Sequence, residues 1–424
     1  MTRTGLKFLT ATLPNGLTVL GEPDVDAQTI AMGYFVKTGA RDEDPRDLGA
    51  SHFLEHMLFK GSAHVSAAEL NARLDALGGN VNAFTSEEAT VYHAAALPER
   101  APDLLAALTE LMTPAMRESD LEPERGVILE EIAMYADQPG VRVFEALRDA
   151  YWRTAAGEAH PLGHNVLGTN ETVGRLNAET LRAHFQARYG TGRVTLVVVG
   201  KFDWNDLLAQ TEALTRAWPR TSFERTLGGH APRPGLLTLQ DDTLNRAHFA
   251  VCTPGLAAND PAREAALVLA DIVGGENGRL YWALVDSGLA DSADLSHTEF
   301  EETGAFEGGW SCDPDRAAET LAIFRSVLAD VREHGVTEAE VRRARKRLAV
   351  STLLRGETPS NRLFALGMDH LYLGRAFTLA ESVARCEAVT PADVQGVLNR
   401  DPFGTVFVAA LGPAETVRQL QLPA

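Results

Sequence analysis

The stretch Ser51–Gly61, SHFLEHMLFKG, sets two histidines and a glutamate within a segment that is otherwise largely apolar. It predicts a helix over about 48–60, which the final glycine ends. His52 and His56 are four residues apart, so their imidazoles lie on one helix face, about 40° apart around the axis. Two imidazoles at this spacing can share one Zn²⁺ ion, and Glu55 can face a water on that ion without being a ligand.

An amphipathic helix that carries two unrelated histidines is the alternative interpretation, because the motif fixes only three positions. Phe53, Leu54 and Met57 make most of the segment apolar, so the helix should be buried. Two imidazoles and a carboxylate would be costly in such a place without a partner ion, which favours the metal interpretation. A catalytic zinc site then needs a third protein ligand.

The stretch LEPERGVILEEIAMY offers that third ligand. A helix that opens at Ser119 should carry it, and Glu124 and Glu131 lie seven residues apart on one face of that helix. Glu130 is rotated about 100° from Glu131, which favours an exposed position. A solvated acidic face is the alternative, and position alone does not choose between Glu130 and Glu131.

The composition is that of an acidic globular protein. Its 424 residues exceed one ordinary core of roughly 100–200 residues, so two or more domains are expected. Asp and Glu outnumber Lys and Arg by 58 to 39, a net charge of −19 that argues against a nucleic-acid partner or an anionic membrane surface. No run approaches 18 apolar residues, so no membrane span is predicted.

The cysteines and the N-terminal sequence bear on location. Cys252, Cys312 and Cys386 are too scattered for a disulfide framework or a Cys-based metal site, which favours a reducing compartment. A Pro-Asn-Gly turn at 14–16 interrupts the region where a signal peptide would need an unbroken apolar stretch. These features predict a cytoplasmic protein.

The second half of the chain repeats the order of elements in the first. RTLGGHAPRPG, rich in Gly and Pro, predicts a linker at 225–238 between a domain at 1–224 and a domain at 239–424. Strands, amphipathic helices and a closing apolar strand recur in matching order, which indicates an internal duplication. Each copy mixes strands with helices, so the predicted class is α+β, with an antiparallel sheet packed with helices in each domain.

These motifs together resemble the pitrilysin/insulysin family of zinc metallopeptidases, the inverzincins, and within it the short processing-peptidase-like subfamily. The resemblance spans nearly the whole chain. It implies that Glu131 is the third zinc ligand and that Glu124 is a second catalytic-site acid, which supports the ligands. The matching stretches are HFLEHMLFKG, GGNVNAFTSEEATVYHAAAL, ERGVILEEI, HPLGHNVLGTNETV, GRLYWALVDSGLA and the closing LGP.

The resemblance implies a zinc-dependent metalloendopeptidase. Such an enzyme would hydrolyse unfolded peptides or short precursor segments inside a closed two-chain chamber, with Glu55 as general base on zinc-bound water. The strand that holds Asn82, Ala83 and Phe84 would pair with an extended substrate peptide. A non-catalytic assembly subunit is the alternative, and the complete set of metal ligands argues against it.

The second half departs from the family pattern. It has no HxxEH motif and no paired glutamates in the matching places, so this domain is predicted to be non-catalytic. Many relatives carry there an Arg and a Tyr that help to hold the substrate, and the matching positions are Leu284 and Asp291. Their absence implies a heterodimer with a related zinc-less chain that supplies the pair. A homodimer is the alternative.

Overall fold

The computed structural model describes residues 7–221 and 223–421, so the ends of the two predicted domains, 1–6 and 422–424, lie outside the described residues. By contact, the chain divides into two compact units. Unit 1 comprises residues up to 133 together with 164–226 and 352–382. Unit 2 comprises 134–163, 227–351 and the residues from 383 onward.

Both units contain strands and helices. The strands are β1 (Leu9–Thr12), β2 (Thr18–Pro23), β3 (Ile30–Val36), β4 (Val81–Thr85), β5 (Thr90–Ala96), β6 (Val194–Gly200), β7 (Gly235–Gln240), β8 (Ala247–Gly255), β9 (Ser292–Glu299), β10 (Gly304–Cys312) and β11 (Phe407–Gly412). The helices are α1 (Ala50–Leu58), α2 (Ala67–Asp75), α3 (Ala101–Leu111), α4 (Glu118–Ala136), α5 (Pro139–Tyr151), α6 (Asn170–Arg175), α7 (Ala178–Arg188), α8 (Trp204–Thr215), α9 (Arg263–Gly274), α10 (Ala317–His334), α11 (Glu338–Gly356), α12 (Pro359–Leu373), α13 (Leu379–Ala388), α14 (Pro391–Leu398) and α15 (Ala414–Val417).

The two sheets confirm the predicted duplication and the α+β class. The sheet of unit 1 has the order β1-β2-β6-β3-β5-β4, and the sheet of unit 2 has the order β7-β11-β8-β10-β9. Apart from β1, the two orders are the same. The prediction of purely antiparallel sheets needs one correction, because β2 runs parallel to β6 and β7 runs parallel to β11. The connections between the paired strands are long and include several helices and strands, which makes these parallel pairs possible.

Two helices do not pack on the sheet whose strands and helices directly precede them in the sequence. α5 follows α4 directly and packs on β8 and β11 in unit 2, whereas α12 follows α11 and packs on β3 and β6 in unit 1. α4 ends at Ala136, and Pro139 occupies the first turn of α5, where its missing N–H costs nothing. The domain boundaries at 224 and 239 stay a prediction, because each compact unit is assembled from three separate segments of the sequence.

The core of unit 1 lies between its sheet and helices α1 and α3. Phe53 and Met57 of α1 are fully buried there, beside Leu108 of α3 and Leu196 of β6. This burial holds the histidine-bearing helix against the sheet. No helix in the part of the chain that the structure describes is long and apolar enough to cross a membrane.

The predicted linker makes defined contacts. In unit 1, Arg225 donates to both carboxylate oxygens of Asp42, at 2.8 and 2.7 Å. In unit 2, the Nε2 of His160 lies 2.8 Å from the carbonyl oxygen of Gly228. His230 lies against the rings of Tyr151 and Trp152, with ring centroids 4.8 and 4.3 Å away. The first residues of the predicted linker are therefore held by specific contacts, Arg225 within unit 1 and Gly228 and His230 within unit 2.

Burial of His230 gives a testable pH dependence of stability. Burial lowers the pKa of this imidazole from 6.5 to about 4. In the unfolded chain His230 takes up a proton below pH 6.5, whereas in the folded chain it does so only near pH 4. The contribution of neutral His230 to stability is therefore fully present above pH 6.5 and is lost as the pH falls toward 4. Through His230 we expect the free energy of unfolding to be about 1 kcal/mol lower at pH 5 than at pH 8, because water partly screens this half-buried ring. Denaturant titrations of His230→Phe should show a smaller loss, and an equal loss would contradict this assignment.

Candidate metal centre

The helix that carries the two histidines is fixed at both ends by its neighbours. Its N-cap, Gly49, has no side chain, and the buried carboxylate of Glu43 takes over this role by accepting from the backbone N–H groups of Gly49 at 2.8 Å and Ser51 at 2.6 Å. α1 ends at Leu58, slightly before the predicted end. Gly61 has φ +84° and a Cβ there would collide with a carbonyl oxygen, so only glycine fits.

Three potential ligand atoms meet on one side of α1. The Nε2 atoms of His52 and His56 lie 3.3 Å apart, and one carboxylate oxygen of Glu131 lies 3.7 Å from each of them. Four ligands at zinc–nitrogen distances of about 2.0–2.1 Å form a tetrahedron with edges of roughly 3.3–3.4 Å. The three atoms therefore fit one face of a tetrahedral zinc site. Among the residues that the structure describes, this is the only group of three His, Cys, Asp or Glu side chains that could hold an ion.

α4 separates its glutamates as the helical spacing predicted. Glu131 faces the two histidines, whereas Glu130 is exposed and does not belong to the ligand group. Glu124 is buried, with 5% of its surface exposed, and one of its carboxylate oxygens accepts from the Nδ1–H of His56 at 2.7 Å. This bond leaves the Nε2 lone pair of His56 directed toward Glu131 and His52, as metal binding requires.

The electrostatics act in opposite directions on the two histidines. Burial and the neighbouring His56 lower the pKa of His52 to about 3, so this imidazole is neutral at pH 7 and its lone pair is available. Burial also opposes charge on His56, but the hydrogen bond and the charge of Glu124 outweigh it, and the pKa of His56 is raised. A neutral imidazole is the form that binds zinc, so His56 gives up any proton on Nε2 when the metal binds, while Glu124 keeps the proton on Nδ1.

Glu55 lies beside this group without joining it. Its side chain is buried, and burial raises the pKa of its carboxyl group. One carboxylate oxygen accepts from the hydroxyl of Thr85 at 2.6 Å. The other oxygen accepts no hydrogen bond from the residues that the structure describes, so it is available to exchange a proton.

The strand predicted to bind a peptide lies at a sheet edge. β4 is the last strand of its sheet and pairs only with β5 among the described strands, with Asn82 opposite His93. Asn82 is exposed, and Ala83 and Phe84 are half-buried. An edge strand presents unpaired backbone N–H and C=O groups, to which an extended peptide can add.

Two residues with close contacts to this centre were not selected from the sequence. Thr85 follows the predicted peptide-binding residues directly and bonds to Glu55. Lys60 lies four residues after His56, and its ammonium group forms an ion pair with Glu124. The four-residue spacing is the one signal that could have indicated Lys60, because it places the lysine near the same face as His56.

Comparison with known proteins gives matches over most of the chain. The model of insulinase (peptidase family M16) matches residues 18–164, and the model of the peptidase M16 inactive domain matches residues 175–348. An uncharacterized zinc protease of Streptomyces coelicolor is 33% identical over 416 residues, covering 95% of this chain and 89% of the relative. A probable mitochondrial-processing peptidase subunit beta of Arabidopsis thaliana is 28% identical, covering 95% of this chain and 78% of the relative.

A solved structure shows the same fold. The crystal structure of a peptidase M16 inactive domain from Pseudomonas fluorescens matches with a TM-score of 0.88. It covers 96% of this chain and 98% of its own chain, at 18% identity. At that identity, the likeness bears on the fold alone.

Proposed function

The chain belongs to the insulinase family of peptidases, family M16, and from this premise we propose that it is a zinc-dependent endopeptidase that cuts unfolded peptides or short precursor segments. The observation that carries the proposal is the convergence of three ligand atoms, from His52, His56 and Glu131, next to the buried carboxylate of Glu55. A shared fold alone would not require this arrangement.

The side chains of this site suit peptide hydrolysis. His52, His56 and Glu131 would hold Zn²⁺, which when bound supplies a Lewis acid for the scissile carbonyl and acidifies water. Glu55 accepts a proton from the attacking water and later gives it to the leaving amine. Its raised pKa suits both roles, since a carboxylate of ordinary acidity is a weak base near neutral pH. Glu124 orients His56.

The edge of β4 suits the binding of an extended peptide. Thr85 ends this strand and bonds to Glu55, so a peptide added along Asn82–Phe84 would run past the base. Main-chain hydrogen bonds would then position the scissile bond with little dependence on sequence. This mode requires an unfolded segment, because a folded substrate has no free backbone to offer.

Thr85→Val is expected to lower kcat about 10-fold or more and to change KM by less than about 3-fold. Valine keeps the branched shape that suits a strand and removes only the hydrogen bond to the Glu55 carboxylate, a charged acceptor. Steady-state cleavage of a quenched fluorescent peptide measures both constants. Thr85→Ser restores the hydroxyl and should recover most of kcat. An unchanged kcat in Thr85→Val would show that this bond does not position the base.

We also propose that the active assembly contains a second chain. One relative is named a subunit beta, and the positions expected for a substrate-holding Arg and Tyr carry Leu284, which is fully buried, and Asp291, which pairs with Arg246. A related zinc-less chain would supply the missing pair and complete a closed chamber. Co-purification from the native source tests this. Full activity of the isolated chain at high dilution would contradict the heterodimer and leave the homodimer.

The non-catalytic assembly subunit remains the competing function. It predicts a purified chain that cleaves no peptide, alone or with its partner, whatever its metal content. The peptidase proposal predicts one bound zinc per chain together with peptide cleavage. Zinc analysis and a cleavage assay on one preparation distinguish the two. The cytoplasmic location stays a prediction.

A further inference from the structure

Lys60 is the one lysine that contacts the candidate metal centre in the described structure, and it reaches the centre through Glu124. Its Nζ pairs with one carboxylate oxygen of Glu124, and the other oxygen of that carboxylate accepts from the Nδ1–H of His56 at 2.7 Å. The three side chains form a chain of contacts that ends at the Nε2 of His56. The lysine side chain is 32% exposed, whereas the carboxylate is almost fully buried.

The backbone of Lys60 is held by a side chain from the segment just before α4. Arg117, just before α4, donates from Nη1 to the carbonyl oxygen of Lys60 at 3.1 Å and from Nη2 to the carbonyl oxygen of Ser62. Lys60 in turn contacts Glu124 on α4 itself. The segment after α1 and the beginning of α4 are thus linked in both directions, which fixes the helix that carries Glu131.

The charge of Lys60 matters because Glu124 is buried. A buried carboxylate needs more than one neutral hydrogen-bond donor to offset its lost hydration. The hydrogen bonds and charges of His56 and Lys60 together outweigh burial and lower the pKa of Glu124. Without the ammonium group, the carboxylate would keep only its bond to His56 and would gain by turning toward water.

From these contacts we infer that Lys60 is a positioning residue for the metal centre: it holds Glu124 against His56 and so raises the affinity of the chain for Zn²⁺. The inference rests on the proposed zinc site, but not on peptide cleavage. Residues that orient a ligating histidine typically change metal affinity 10–100-fold. Lys60 contacts Glu124 and not the histidine itself, so its effect on Zn²⁺ affinity should lie near the lower end of this range.

The test is a competition titration of the metal-free chain with Zn²⁺ and a chromophoric chelator. Lys60→Met keeps most of the side-chain length and should weaken Zn²⁺ binding about 10-fold. Lys60→Arg keeps the charge and should stay within about 3-fold of the wild type. Lys201→Met, an exposed lysine on the same unit, is the matched control and should change nothing. Circular dichroism of each metal-free variant checks the fold.

A double-mutant cycle tests whether Lys60 acts through Glu124 or through a general effect of its charge on Zn²⁺ binding. In a Glu124→Gln background, Lys60→Met should weaken Zn²⁺ binding by less than about 2-fold, because the negative charge it acts on is gone. Wild-type affinity in Lys60→Met, or an equal loss in both backgrounds, would overturn the inference. A chain that binds Zn²⁺ with the expected pattern but cleaves no peptide would overturn the proposed function alone.

Discussion

Glu131→Gln is expected to weaken the affinity of the chain for Zn²⁺ by roughly two orders of magnitude or more, whereas Glu130→Gln should change it by less than about 3-fold. The two residues are neighbours in sequence, but a rotation of about 100° separates them on α4. Glu131 places an oxygen 3.7 Å from the Nε2 atoms of both histidines, and Glu130 is exposed. Removing one ligand from three leaves a two-histidine site, which holds zinc poorly.

This pair of variants controls for charge and for folding. Each removes one negative charge from the same helix and keeps the size of the side chain, so a difference between them reports position alone. His52→Ala should match Glu131→Gln in its loss of zinc, measured by metal analysis after dialysis. Equal losses for Glu130→Gln and Glu131→Gln would show that the ligand assignment is wrong.

Glu55→Gln is expected to reduce peptide cleavage by about two to four orders of magnitude while one zinc per chain is retained. The amide keeps the shape of the carboxylate and can still contact the hydroxyl of Thr85, but it cannot accept and return a proton. Glu55 contributes no atom to the ligand group, so zinc content should not change. The measurements are the cleavage rate and the metal content of the same preparation.

Comparing Glu55→Gln with Glu131→Gln separates the proposed role of Glu55 as general base from that of Glu131 as metal ligand. Glu131→Gln should lose zinc and activity together, and Glu55→Gln should lose activity alone. If Glu55→Gln kept more than about a tenth of the wild-type rate, another group would have to act as the base. If it lost zinc as well, Glu55 would be a ligand or a structural support.

The local parts of the candidate metal centre could be predicted from the sequence, because helical spacing determines them. Four residues bring the imidazoles of His52 and His56 to one face of a helix, and seven residues do the same for Glu124 and Glu131. Whether the two helices meet depends on contacts 60 or more residues apart, for which the resemblance to a family supplied the expectation. The pair of Lys60 with Glu124 is such a contact, and spacing alone does not reveal it.

The duplicated architecture could also be predicted in part from the sequence. Matching element order in the two halves indicated a duplication, and the two sheet orders agree with it. The packing of α5 and α12 was not predictable, because an apolar helix face fits either of two similar sheets. Purely antiparallel sheets were expected because hairpins dominate the local signals. The parallel pairs join strands far apart in sequence, such as β2 and β6.

The central claim is that this chain cleaves peptides through a zinc ion held by His52, His56 and Glu131. The most direct measurement is a titration of the chelator-treated chain with Zn²⁺, in the presence of its partner chain if one is required, while the cleavage of an unfolded peptide is followed. The rate should begin near zero, rise in proportion to added zinc and level off at one zinc per chain. Full cleavage by the metal-free chain, or saturation with zinc without cleavage, would contradict the account.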